Sequence, residues 1–277
     1  MLNYIVWNPD GIIIDLGVYQ LRWYSVLFGL GFLLGYQFVK ARFKKAELDL
    51  KLLDNLAVYL VVGTILGARL GHCLFYDWEY FSQHPLEIIL PFRFTPTFEF
   101  VGFRGLASHG GGVGVIIAII LYARKYKINT LWLIDTIALV VPLAGIFIRL
   151  GNLMNSEIVG SVTNVSWAFI FTDVDALPRH PAQIYEAFSY LLIFGFLYWL
   201  KNQKFNKPGF ILGFTFLLIF IARFLIEFVK ADQVEFESTM ALNMGQWLSI
   251  PYMLAGIAII IWSQKRSKQI TADQTDQ

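Results

Sequence analysis

The chain has 277 residues, of which 57% are hydrophobic and only 15% charged, with 25 Phe, 13 Tyr and 8 Trp. Such usage lies well outside that of a water-soluble domain, and several apolar runs of roughly 20 residues, each long enough to cross a bilayer, cannot be hidden in a soluble core of this length. The net charge is +2, and the basic residues fall in short clusters beside apolar runs, which leaves no electrostatic footprint for a nucleic-acid partner.

Residues 1–20 carry Asp10 and Asp15 and lack both a basic n-region and a small-residue cleavage site, so no cleaved signal peptide is expected. Seven apolar runs follow, at 21–39, 54–76, 108–123, 129–149, 184–200, 209–229 and 245–262, each predicted to span the membrane. The third run is interrupted by Gly110, Gly111, Gly112 and Gly114, which lower helix propensity. Connections 77–107 and 156–183 are long, aromatic and proline-containing, and a small external cap is expected from them. The tail 269–277, rich in Gln, Asp and Thr, is expected to be disordered, outside one polytopic membrane domain over residues 1–268. Cys73 is the single cysteine, and a small buried hydrophobe is its simplest reading.

Fourteen of the 22 Lys and Arg residues cluster in the connections on one side, from Lys40 to Lys51, Arg124 to Lys127, Lys201 to Lys207 and Lys265 to Lys268. Cytoplasmic loops retain positive charge, so this side is cytoplasmic, the N-terminus is outside and the C-terminus inside. The expected fold is an all-α integral membrane protein of seven helices. The other eight basic residues are Arg22, Arg69, Arg93, Arg104, Arg149, Arg179, Arg223 and Lys230. Counted from the cytoplasmic end at about 1.5 Å per residue, Arg69, Arg149 and Arg223 each lie roughly 20 to 30 Å up their helices, in the outer half of the bilayer. A charge persists there when it pairs or faces a polar cavity. Arginine suits a phosphate or carboxylate ligand, because its planar fork donates two parallel hydrogen bonds and stays charged.

Several constellations could carry chemistry. Ser108-His109-Gly110-Gly111-Gly112-Val113-Gly114 puts an imidazole at a membrane boundary, followed by backbone that a ligand can approach closely; the same run reads equally as a small-residue helix-packing face. Arg149 to Gly160 closes the fourth span with an arginine, Asn152, Asn155 and Glu157. Gln183 and Glu186 share a face of the fifth span, in capping or interface roles as readily as in chemistry, and Arg223 and Glu227 are spaced for an intrahelical ion pair. No Gly-x-Ser-x-Gly elbow accompanies the glycine run, which excludes a serine hydrolase of that type. His72, His84, His109 and His180 show no ligand spacing, so no metal site is expected.

In order along the chain, Leu21-Arg22-Trp23-Tyr24, Gly67-Ala68-Arg69-Leu70-Gly71, His109-Gly110-Gly111, Arg149 to Gly160, Arg179-His180-Pro181-x-Gln183-x-Tyr185-Glu186, Arg223-Phe224-x-x-Glu227 and Met244-Gly245-Gln246 resemble the prolipoprotein diacylglyceryl transferase family of bacterial membrane enzymes. Two departures stand out: the family usually has Gly where this chain has Ile148, and a tyrosine four residues before the later arginine where this chain has Ile219.

The resemblance implies transfer of the diacylglyceryl group of phosphatidylglycerol to the lipobox cysteine of a preprolipoprotein signal peptide, giving a thioether and glycerol phosphate, with no cofactor or metal. It implies a bacterial inner membrane protein with its active site toward the outer leaflet. The expected roles are His109 as the base that raises the thiolate fraction, and Arg149, then Arg223, as stabilisers of the departing phosphate. Asn152, Asn155 and Glu157 would orient the headgroup and arginine, and Tyr24 would line the chamber. Gly160, Arg69, Glu227, Gln183, Tyr185 and Asp135 complete the expected binding set. A lipid or anionic-solute transporter with an arginine-lined cavity is the alternative. It calls for midplane polar groups and paired broken helices, neither of which is evident.

Overall fold

The computed structural model describes residues 4–17, 20–94, 97–102, 105–203, 207–231 and 240–275, with the backbone alone for 108–109 and 267–275. The elements are β1 (Ile5–Trp7), β2 (Ile12–Asp15), β3 (Gln20–Arg22), α1 (Trp23–Lys45), α2 (Leu50–Phe75), α3 (Trp78–Gln83), α4 (Leu86–Ile89), β4 (Phe92–Arg93), β5 (Glu99–Phe100), α5 (Ser108–Lys125), α6 (Thr130–Met154), β6 (Phe169–Phe171), β7 (Pro178–Arg179), α7 (Ala182–Leu200), α8 (Phe210–Ile226) and α9 (Met244–Thr275).

Each of the seven apolar runs lies mainly within a helix. Among the described residues, five segments are long and apolar enough to cross a membrane: α1, α2, α6, α8 extended to Val229, and α9 as far as Arg266. The first turns of α7 carry Gln183 and Glu186, which dilute its apolarity. Contacts divide the chain into two compact units, Lys40–Ile134, and Met1–Val39 with Asp135–Gln277.

In the unit Lys40–Ile134, Asp49 caps α2 by accepting a hydrogen bond from the Lys51 amide at 2.9 Å. Helices α2 and α5 meet along their glycines. A Cβ on Gly67 would collide with the Gly110 carbonyl and lie 2.7 Å from the Gly114 Cα, and one on Gly71 would lie 2.8 Å from the Gly110 Cα. The glycine run of α5 is therefore a packing face at Gly110 and Gly114, which lets two backbones approach as small residues do in membrane helix pairs. Gly112 has open space around it.

The connection after α2 folds back on Arg69. This buried side chain donates from Nη2 to the Glu87 carbonyl at 2.6 Å and from Nε to the Ile88 carbonyl at 3.2 Å, and its guanidinium lies 4.7 Å from the Phe81 ring centroid. Beyond α4, β4 and β5 form an antiparallel hairpin.

In the other unit, Ala138 and Leu139 of α6, Tyr190, Ile193, Leu197 and Leu200 of α7, and Ile211 of α8 form one buried cluster, and Ile219 packs against it. Gly213 and Gly256 bring α8 and α9 together, since a Cβ on Gly256 would lie 2.8 Å from the Gly213 carbonyl. Asp135 holds the start of α8, accepting from the amides of Gly209 at 2.7 Å and Leu212 at 2.9 Å. Gly209 has φ +94°, a conformation that suits only glycine well.

The second of the two long connections contains short strands. Strands β6 and β7 pair antiparallel there, and β1 pairs parallel with β6. The share taken by the N-terminal strand was not anticipated, because three residues carry too little alternation to register as a strand. Trp7 Nε1 donates to the Leu153 carbonyl at 2.9 Å, and its indole packs with Leu150, Leu153, Val159 and Phe169 over the end of α6.

Candidate functional site

The last turns of α6 set Arg149, Asn152 and Asn155 three residues apart, hence along one side of the helix. Arg149 Nη1 donates to Asn152 Oδ1 at 3.1 Å, and Asn152 Nδ2 donates to Glu157 Oε2 at 2.9 Å. The second Glu157 oxygen accepts from Asn155 Nδ2 at 3.1 Å. Glu157 is placed by a contorted turn in which Ser156 has φ 53° and Ile158 φ 56°. A β-branched residue in the left-handed region is strained, a condition that gathers at functional sites.

Behind this relay stands buried charge. Arg149 Nε forms an ion pair with Glu186 of α7, whose side chain is 1% exposed. Lys230 Nζ lies 3.7 Å from the other Glu186 oxygen and donates to Glu227 Oε2 at 2.9 Å. The spacing of Arg223 and Glu227 had suggested an intrahelical pair, but the Glu227 carboxylate goes to Lys230. The reason is local: a 3-10 turn at Glu227–Val229 follows α8 and carries Lys230 round to it. Among the described residues, the half-buried Arg223 guanidinium has no hydrogen bond or ion pair.

Other expected residues converge on the same end of α6. The Tyr24 ring lies against Gly151, where a Cβ would come within 2.8 Å of it. Gln183 Nε2 donates to the Glu157 carbonyl at 2.6 Å, while its buried Oε1 has no partner among the described residues. Gly160 donates its amide to the His180 carbonyl at 2.9 Å and accepts from Arg179 Nη1 at 3.1 Å. A side chain at Gly160 would collide with the His180 carbonyl and lie 2.7 Å from the Val229 carbonyl. The Tyr185 oxygen accepts from Trp167 Nε1 at 2.7 Å and lies 3.1 Å from His180 Nδ1. Hydrogen bonds from Arg179, then one from the Leu177 amide, hold the Asp175 carboxyl below its ordinary range. Burial pushes the His180 imidazole down.

Three expected residues remain. Asp135 caps α8 at the far end of that helix from Arg223, about 20 Å away by helical rise. Arg69 belongs to the unit Lys40–Ile134, engaged with backbone carbonyls. His109 lies in the first turn of α5 in that same unit, and its side chain is outside the described residues.

Several of the gathered residues come from the family motifs, and direct comparison decides the matter. Residues 11–262 match the model of the prolipoprotein diacylglyceryl transferases. The chain belongs to this family. It is 46% identical over 271 residues to a phosphatidylglycerol–prolipoprotein diacylglyceryl transferase of Bacteroides fragilis, covering 96% of this chain and 98% of that one. Similarly named proteins of Tolumonas auensis and Chloroherpeton thalassium are each 44% identical, covering 94% and 96% of this chain and 98% and 97% of theirs. None of these relatives bears a transporter's name.

Within this diacylglyceryl transferase, Glu186 and Lys230 are the members of the buried charge cluster that sequence reasoning undervalued. Glu186 shares the Gln183 face, and Lys230 stands among the outward basic residues. Their partnership crosses from α7 to the end of α8, which no local spacing reveals.

Proposed function

We propose that the chain transfers the diacylglyceryl group of phosphatidylglycerol to the lipobox cysteine thiol of preprolipoproteins. The observation that carries this reading is the buried cluster at the end of α6, in which Arg149 is held by Glu186 and Asn152, together with the half-buried Arg223 at the end of α8. Two guanidinium groups in one compact unit, one of them without a protein counter-ion among the described residues, favour an anionic ligand such as the lipid phosphate.

In the reaction, the cysteine sulfur attacks the glycerol carbon that bears the phosphate. A carbon–sulfur bond forms, the carbon–oxygen bond breaks, and its electron pair leaves on the phosphate, released as glycerol phosphate. Negative charge grows on that phosphate, and preorganised guanidiniums stabilise it without reorganising. Arg149 is assigned this role first and Arg223 second. Asn152, Asn155 and Glu157 fix the orientation of Arg149, Tyr24 and Gln183 line the site, and Gly160 keeps the adjoining strands close. A thiol with ordinary pKa near 8.5 needs a base, and His109 is assigned it.

The same reading places a single domain, residues 1–268, in the bacterial inner membrane on seven spans, with the N-terminus and active site outward and the C-terminus cytoplasmic. The test is direct: purified protein is incubated with phosphatidylglycerol and a lipobox peptide, and the peptide mass is measured. A diacylglyceryl increment is expected, and none would overturn the assignment.

A further inference from the structure

Helices α6 and α7 face one another in two adjacent rungs. In one, Arg149 pairs with Glu186. In the other, one turn away on both helices, Gly145 lies under the ring of Tyr190: a Cβ there would come within 2.8 Å of Cδ2 and 3.1 Å of Cε2. Both rungs arise from spacings of four, Gly145 to Arg149 on α6 and Glu186 to Tyr190 on α7. The absent side chain at 145 thus lets a phenol sit beside the guanidinium. Tyr190 is 6% exposed, and a hydroxyl buried that deeply needs a partner. The adjoining rung brings the Arg149–Glu186 ion pair within one turn of it on both helices. On α8, one turn before Arg223, Ile219 packs against the cluster that includes Tyr190 and brings no hydroxyl of its own.

We propose that Tyr190 is a positioning residue for the transfer reaction, its hydroxyl accepting a hydrogen bond from Arg149 and holding that guanidinium toward the phosphate, a place that Ile219 cannot serve. The proposal rests on the function assigned above. Glu186 draws the guanidinium from one side through charge, which fixes distance better than direction. A second contact from the neighbouring rung constrains rotation of the fork, and a bidentate phosphate contact depends on that orientation.

The test uses the full chain in lipid nanodiscs with phosphatidylglycerol and a lipobox peptide. Tyr190→Phe keeps the ring on Gly145, so its melting temperature should match that of the unaltered protein. Its kcat/KM should fall by about tenfold or more, the usual scale for a hydrogen bond to a charged group. In an Arg149→Lys background the same substitution should cost little further, because the fork that Tyr190 orients is gone. Wild-type kcat/KM in Tyr190→Phe, or an equal fold-loss in both backgrounds, would overturn the proposal. An unaltered protein without transfer activity would remove the functional reading itself, which is a separate result.

Discussion

At residue scale, the arginines differ in what surrounds them, and their substitutions should differ accordingly. Arg149 is held by Glu186 and Asn152, whereas Arg223 has no such protein partner among the described residues. If Arg223 contributes a fork to the phosphate, a lysine that keeps the charge but loses the planar donors is a poor replacement. Arg223→Lys should lower kcat/KM by about tenfold to a hundredfold without changing the melting temperature. Unchanged kinetics would argue against forked recognition. His180 offers a pH test outside the spans. The Tyr185 oxygen accepts from the Trp167 indole, which can only donate, so the phenolic proton is directed at His180 Nδ1. That nitrogen accepts, the ring is neutral, and burial holds its pKa below the ordinary 6.5. A depressed histidine favours folding fully above the unfolded value, and the contribution is lost as pH falls from 6.5 through the folded value. Thermal midpoints of the wild type should therefore drop between pH 7.5 and 5.5 more steeply than those of His180→Gln; parallel slopes would remove His180 as a cause.

At the scale of elements, apolar length made the seven helices legible, because a run of about 20 apolar residues has few other uses. Strands of two to four residues were not legible, since alternation over so short a stretch is indistinguishable from chance. The hydrogen-bonded cluster was legible where its residues follow one another along the end of α6, as Arg149, Asn152 and Asn155 do. Its counter-charges were hidden because Glu186 and Lys230 come from other elements. The glycines of α5 allowed ligand approach or helix packing, and the geometry gives Gly110 and Gly114 the second role. A Cβ on Gly114 would strike the Gly63 carbonyl and lie 2.9 Å from the Gly67 Cα, and both contacts are backbone that cannot swing away. Gly114→Val should therefore destabilise the protein by about 1–3 kcal/mol, the range for overpacking, seen as a lower melting temperature in detergent. Gly195 of α7 has nothing within 4 Å, so Gly195→Ala should be neutral or slightly stabilising. Equal melting temperatures for the two variants would show that close approach of α2 and α5 contributes nothing.

At the scale of the whole molecule, the boundaries between the two compact units fall within α1 and within α6. A helix that continues through a boundary leaves no Gly, Pro or polar linker in the sequence, so composition carried no sign of the division. Charge does carry topology. The connection between α1 and α2 is flanked by Arg42, Lys44, Lys45 and Lys51, whereas the connection from Glu157 to Pro181 contains the single basic side chain Arg179 besides His180. In the proposed topology, retention of positive charge in the cytoplasm puts the first connection inside and the second outside. Single cysteines can read this out, because the native Cys73 is buried and can be replaced by serine. Ala46→Cys and Asn164→Cys each lie at exposed positions in these connections. A membrane-impermeant maleimide added to spheroplasts should label Asn164→Cys at once and Ala46→Cys only after permeabilisation. The opposite pattern would invert the chain and bring Arg149 and Arg223 to the cytoplasmic half. A thiol acceptor delivered from the outer face would then have no reason to meet them, so the topology and the assigned chemistry stand or fall together.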